Sequence, residues 1–440
     1  MASTPSTPPT PQAQPAQATR CSDPACAEMT DWTLSRRSLL STAGAAGAFT
    51  AVFGDTHVRA QAATAAPAAS SSGAPVLLVL SLRGGADGLS LVVPHGDPAY
   101  YRARPRLAVP ADRLLVADEM FGLHPALAPL ADWWRSGRVA AVHAAGLPAR
   151  NRSHFAAMEE VEDADPTSSL RVGWLNRLIG LDGVRSPLQA VHMGGAVPPS
   201  SLAGPEPSLS VPDPGSVRLA ADGVVSRTAR RRSLRSAWGA DGGADLAPLV
   251  ASARSVPGLV DAFVPATSAA SSVTFPGTFL GKALSFASRT IRAGVGAQVV
   301  TVDHGGWDMH ADLGTVESGD MRTLATELGE ALAAFLADLG PHLDRTTVVV
   351  LSEFGRRTEE NSSMGLDHGY GNAMLLAGAG VLGGRVHGTW PGLTLGSDAD
   401  LLVTTDYRSV LAEVVRTRFG RSTSAVFPGF SPAPVGAMAG

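Results

Sequence analysis

Beyond residue 26 the chain has no cysteine; its only thiols are Cys21 and Cys26. Everything downstream therefore lacks disulfides and thiolate metal sites, and its stability must come from an apolar core or from bound ions. Lysine is nearly as scarce, since Lys282 is the single exception to arginine among the basic side chains. That uniformity reads as codon usage of a GC-rich genome, not as phosphate recognition. No excess of positive charge exists either: 35 basic against 39 acidic residues leave a net charge of −4, which argues against nucleic acid as a partner. The cluster Arg227, Arg230, Arg231, Arg232 and Arg235 reads as a solvated helix face, with anion binding as the lesser alternative. There is no internal repeat, and the sequence gives no reason to expect a stable transmembrane anchor.

What is present begins with a leader. Arg36 and Arg37 stand directly before an apolar stretch from Leu39 to Phe53 that is rich in Ala and Gly. It is too short for a membrane span, which needs roughly 20 apolar residues, and it fits the core of a cleavable signal. Ala60-Gln61-Ala62 supplies a small-x-small site, so cleavage is expected after Ala62. The order of features is that of a twin-arginine signal. The expected partner is the twin-arginine translocase and the expected location is outside the cytoplasm, secreted or in the cell envelope or periplasm. The preceding Pro/Thr/Gln/Ala extension should be disordered. Cleavage removes Arg20, Arg36, Arg37 and Arg59 with Asp23, Glu28, Asp31 and Asp55, so the net charge is unchanged. An Ala/Ser linker over 63–74 then leads into one domain, 75–440.

Val76–Leu82 is a continuous apolar run, as in a strand buried on both faces. The pattern predicts a helix over Leu123–Trp134 with Pro125 in its first turn, a strand at Val139–His143, and a helix opening at Arg152-Ser153-His154-Phe155. Pro198 to Pro214 reads as loop or cap. Further expectations are a strand at Gln298–Asp303, a helix over Asp320–Leu339 and a strand at Thr346–Leu351. Strands alternating with helices predict an α/β fold, a doubly wound, mostly parallel sheet sandwiched by helices. Function in such sheets collects at the carboxyl ends of the strands.

Those ends carry Asp87, Ser153, Asp308 with His310, and Glu353, and the next loop adds Asp367 and His368. They form an oxygen and imidazole set suited to Zn, Mn, Mg or Ca. An extended Asp308-Met309-His310 points both side chains the same way, which favours a shared ligand. Ser153 has two readings, a helix N-cap and a nucleophile.

Six segments occur in order: Leu82-Arg83-Gly84-Gly85-Ala86-Asp87-Gly88, Gly122-Leu123-His124-Pro125-Ala126-Leu127, Arg152-Ser153-His154-Phe155, Asp308-Met309-His310, Ser352-Glu353-Phe354-Gly355-Arg356 and Asp367-His368-Gly369. Together, from Val76 to Trp390, they resemble the exported bacterial domain-of-unknown-function family 1501. That family looks like a branch of the alkaline phosphatase and sulfatase superfamily. The resemblance implies hydrolysis of phosphate or sulfate esters with one or two divalent metal ions. It implies metal binding by Asp87, Asp308, His310, Glu353, Asp367 and His368, with Ser153 at the nucleophile position. Two departures stand out: Phe354 replaces the superfamily's histidine, and Asp308-x-His310 is a short spacing. A non-catalytic exported binding or assembly protein with a degenerate metal site is the alternative. A serine hydrolase built on Ser153 and His154 is weaker, because no G-x-S-x-G elbow surrounds the serine.

Overall fold

The computed structural model describes residues 49–53, 56–60, 73–165, 171–213 and 247–440, with the single positions 217, 228 and 232. Cys21, Cys26, Arg36, Arg37, Ala62, most of the 63–74 linker and all of the arginine cluster except Arg232 lie outside the described residues.

The strands are β1 (Phe49–Phe53), β2 (Thr56–Ala60), β3 (Val76–Leu82), β4 (Val92–Val93), β5 (Gly122–Leu123), β6 (Val139–Gly146), β7 (Ala190–Met193), β8 (Ser208–Val211), β9 (Val299–His304), β10 (Thr346–Leu351), β11 (Asn372–Gly378), β12 (Val386–His387) and β13 (Thr405–Asp406). The longer helices are α1 (His154–Asp163), α2 (Trp174–Gly180), α3 (Ala247–Ser268), α4 (Phe279–Arg292), α5 (Asp320–Asp338) and α6 (Tyr407–Val414). The main sheet runs β1-β2-β8-β7-β9-β3-β10-β11-β6-β12, with β13 also on β6, and β4 and β5 form a separate pair. From β8 to β10 every pairing is parallel. The fold is α/β with a mostly parallel sheet, as its sequence pattern predicts.

β3 explains why the sheet is doubly covered. Its side chains alternate between faces: Leu78, Leu80 and Leu82 join the core under α4 and α5, while Leu77 and Val79 join the core beneath α1, α2 and α6. Both faces being apolar, the strand reads as an unbroken hydrophobic run. Helix α5 buries Met321, Ala325, Leu328, Leu332 and Phe335 on one face, a spacing of three and four that its sequence already displayed.

Three expectations change. The helix anticipated over Leu123–Trp134 is a 3₁₀ segment, Pro125–Leu130, followed by a short α-helix, Ala131–Arg135. Pro129 lies inside it and has no N–H to donate to an α-helical ladder. The loop anticipated over 198–214 contains β8, which is buried throughout and pairs with β7. β11, for which the sequence reading had no strand, is inserted antiparallel between β10 and β6.

β1 and β2 form an antiparallel hairpin whose second strand pairs with β8. Both lie inside the segment read as a cleavable leader, so cleavage after Ala62 would leave β8 at the sheet edge. Among the described residues no helix is long and apolar enough to cross a membrane.

Candidate metal centre

Parallel pairing puts the carboxyl ends of β3, β9 and β10 at one edge of the sheet. β11 runs the other way, so the loop before it, carrying Asp367 and His368, reaches that same edge. β6 is antiparallel to β11, so its carboxyl end and α1 beyond it arrive there too. Gly84 allows the loops after β3 and β9 to touch. Its φ is +116°, and a Cβ there would sit 2.6 Å from the Asp308 nitrogen, a position no other residue fills without strain.

Asp308 Oδ1 lies where these segments converge. His310 Nε2 stands 3.0 Å from it, His368 Nε2 3.2 Å and His154 Nε2 3.5 Å. The two nitrogens of His310 and His368 are 2.9 Å apart. Ligand atoms of His154, Asp308 and His368 all lie within 4.8 Å of one another. Arg356, almost fully buried, donates to Asp308 Oδ1 at 2.6 Å. It also bonds the carbonyls of Gly84, Gly85, Trp307 and Leu366, and its Nη1 reaches His310 Nε2 at 3.3 Å.

Each imidazole is oriented through its other nitrogen. His154 Nδ1 meets Glu353 Oε1 at 2.8 Å, His310 Nδ1 meets Asp367 Oδ1 at 3.2 Å, and His368 Nδ1 meets the Arg152 carbonyl at 2.9 Å. Carboxylates and carbonyls only accept, which assigns the proton to Nδ1 in all three rings. In the neutral imidazole the Nε2 lone pair is then free. That of His310 accepts from Arg356 Nη1 at 3.3 Å, whereas those of His154 and His368 face the Asp308 carboxylate oxygen, an arrangement that costs energy unless a cation or a proton lies among them. His154 Nε2 is buried and has no hydrogen-bond partner apart from its 3.5 Å approach to Asp308.

Electrostatics agree. Burial works against the Asp308 anion, but hydrogen bonds from His154, His310 and His368 and the Arg356 charge outweigh it and hold its pKa far below the usual carboxylate range. Burial also works against a charged His154, yet its bonds to Asp308 and Glu353 win, pushing it up to about 9. Without a metal a proton holds that ring in place; a metal ion would replace it. Burial, and then the charge of Arg356, lowers His368.

These residues could hold a divalent cation. Donors 2.0–2.1 Å from one tetrahedral ion lie about 3.3 Å apart, and Asp308 Oδ1 lies 3.2 Å from His368 Nε2 and 3.5 Å from His154 Nε2. A partner that accepts from the far nitrogen of each ring is the usual companion of metal-bound histidine.

The sequence-predicted residues divide accordingly. Asp308 and His368 supply converging donors, and His310 reaches Asp308 with its Nε2 while receiving Arg356 there. Glu353 and Asp367 stand behind them, orienting His154 and His310. Asp87 is elsewhere engaged: Arg104 donates to its two oxygens at 2.5 and 3.0 Å, and both side chains are buried. Ser153 occupies the position before α1, but its side chain makes no capping bond. His154 is the donor that sequence reasoning missed. Its signal was present in Arg152-Ser153-His154-Phe155, where the serine drew the reading. Phe354 packs its ring 4.9 Å from both His154 and His368, so the expected histidine position has become a wall of the site.

Residues 261–414 match the model of the family described as Protein of unknown function (DUF1501). This is the family that the motif series resembles. The matched span includes Asp308, His310, Glu353, Asp367 and His368, and stops short of Asp87, Ser153 and His154. No curated protein matches the chain. Among solved structures it is similar to one titled "Structure of alkaline phosphatase from the Antarctic bacterium TAB5", at 11% identity and a TM-score of 0.25, over 71% of this chain and 94% of that one.

Proposed function

We propose that this protein is an exported, metal-dependent hydrolase of phosphate or sulfate esters. The observation that carries the metal is the convergence of His154, His368 and Asp308, with the far nitrogens of both rings already engaged. An imidazole-rich set suits zinc better than magnesium or calcium, which take oxygen ligands. The ester class rests on the resemblance of the six motifs.

A bound zinc-type ion would supply Lewis-acid polarisation of an ester oxygen. The chain supplies the rest. Arg356 is fixed beside Asp308 by four backbone carbonyls, placing a positive charge where an anionic ester would dock. Arg152 and Arg357 lie outside it, bonded to Asp398 and Asp400. Ser153 sits between Arg152, whose carbonyl orients His368, and His154, itself a donor. That adjacency, with the motif resemblance, supports Ser153 as the nucleophile of the proposed reaction. The donors come from residues 154 to 368, so the site exists only in folded protein. This supports a twin-arginine route, which carries folded cargo, and action outside the cytoplasm.

The test uses the protein as purified from its own host and a panel of aryl phosphates and aryl sulfates. Ser153→Ala should abolish turnover and leave the metal content unchanged. A wild type that holds metal but cleaves no member of the panel favours the second reading, a non-catalytic exported binding protein. The observation behind that reading is the closure of Asp87 by Arg104.

A further inference from the structure

We infer that the centre holds one metal ion and that internal guanidinium groups occupy the remaining cation positions. The inference rests on the metal-centre reading above and concerns only this chain's residues.

Of the carboxylates that the motif series offers, only Asp308 points its oxygen at imidazole Nε2 atoms, while Glu353 and Asp367 meet Nδ1. Asp87 gives its two oxygens to Arg104. Arg104 cannot move away cheaply, because it also bonds Ser90 Oγ, the Thr358 carbonyl and the Arg357 carbonyl in a fully buried setting. Glu353 accepts at Oε1 from the Gly84 amide and His154, and at Oε2 from the Ser352 hydroxyl. Asp367 Oδ1 takes His310 and Asn361. His310 Nε2 accepts from Arg356, so two nitrogens and one carboxylate remain, His154, His368 and Asp308, enough for a single ion with one open position.

Charge points the same way. Asp87, Asp308, Glu353 and Asp367 against Arg104 and Arg356 give 4 − 2, a net of −2 with neutral imidazoles. One divalent cation neutralises this set. A second would leave two uncompensated charges in a mostly buried site, where they are costly.

The experiment is titration of metal-stripped full-length protein with Co²⁺, followed by its visible absorbance and by elemental analysis of the dialysed complex. One equivalent per chain is expected. It should disappear in His368→Ala and persist in Asp87→Asn. Two equivalents in the wild type overturn the inference while leaving the proposed metal dependence standing. Retention of the equivalent by His368→Ala also overturns it. Zero equivalents overturn both. The wild-type count decides even where Asp87→Asn fails to fold.

Discussion

Asp87 and Asp308 follow neighbouring strands of one parallel sheet, each in a glycine-bearing loop, yet they have opposite fates. Arg104 neutralises Asp87 through both oxygens, inside the core. Arg356 reaches Oδ1 of Asp308 and, through Nη1, the Nε2 of His310, and gives its other N–H groups to the backbone, while three imidazoles close on the same oxygen. A carboxylate at a strand end is thus not a ligand by position; its neighbours decide whether its charge is already spent. Histidines show the same contrast. His143 uses up its ring within the fold, with Nε2 on the Val92 carbonyl and Nδ1 accepting from Ala144. His154 and His368 use only Nδ1 this way and turn Nε2 towards Asp308, while His310 also receives Arg356 at Nε2.

The contrast can be broken at its strongest point first. Asp308→Ala removes the atom on which the donors converge. Metal affinity should fall by more than the ~10–100-fold that loss of an orienting partner costs, and any ester hydrolysis should disappear with it. Competition with a chelating dye measures the first quantity; unchanged affinity would show that the donors do not act together.

His143 sharpens the other side. Burial lowers its pKa to about 4 from 6.5. Its folded form resists protonation while the unfolded chain accepts it, so stability is intact above pH 6.5 and is lost as pH falls towards 4. Between pH 7 and 5 this one group should account for about 2 kcal/mol. Urea unfolding at both pH values, in wild type and His143→Gln, checks it. The variant should show a shallower loss, and an identical slope would mean that the ring titrates freely.

The smallest effect is expected at Glu353→Gln. The amide oxygen can still accept from His154, so the charge and the Ser352 bond to the second oxygen are lost, and metal affinity should weaken by about 10-fold, the low end for such partners. A loss as large as that of Asp308→Ala would make Glu353 a direct ligand.

Much of this was legible in the chain. The apolar runs of β3 and β10 and the three-and-four spacing of α5 follow from burial on two faces and on one. Asp308, His310 and His368 stood out by residue type at strand or loop ends. β8 was hidden because Ser208-Leu209-Ser210-Val211 lies in a Pro- and Ser-rich stretch and gains its pairing only from β7. β11 was hidden because an antiparallel insertion breaks the strand–helix alternation. His154 was hidden by the serine before it, and the partnership of Asp87 with Arg104 spans a separation that no local spacing rule addresses.

The sequence by itself determined the fold class, the cysteine-free character of everything after residue 26 and the residue types available at the sheet edge, because periodicity and composition are local properties. Which carboxylate would be neutralised from within, and which would be left facing imidazoles, only the tertiary structure decided. That outcome depends on which groups from residues 84 to 368 come within hydrogen-bond reach of one another once the sheet has formed.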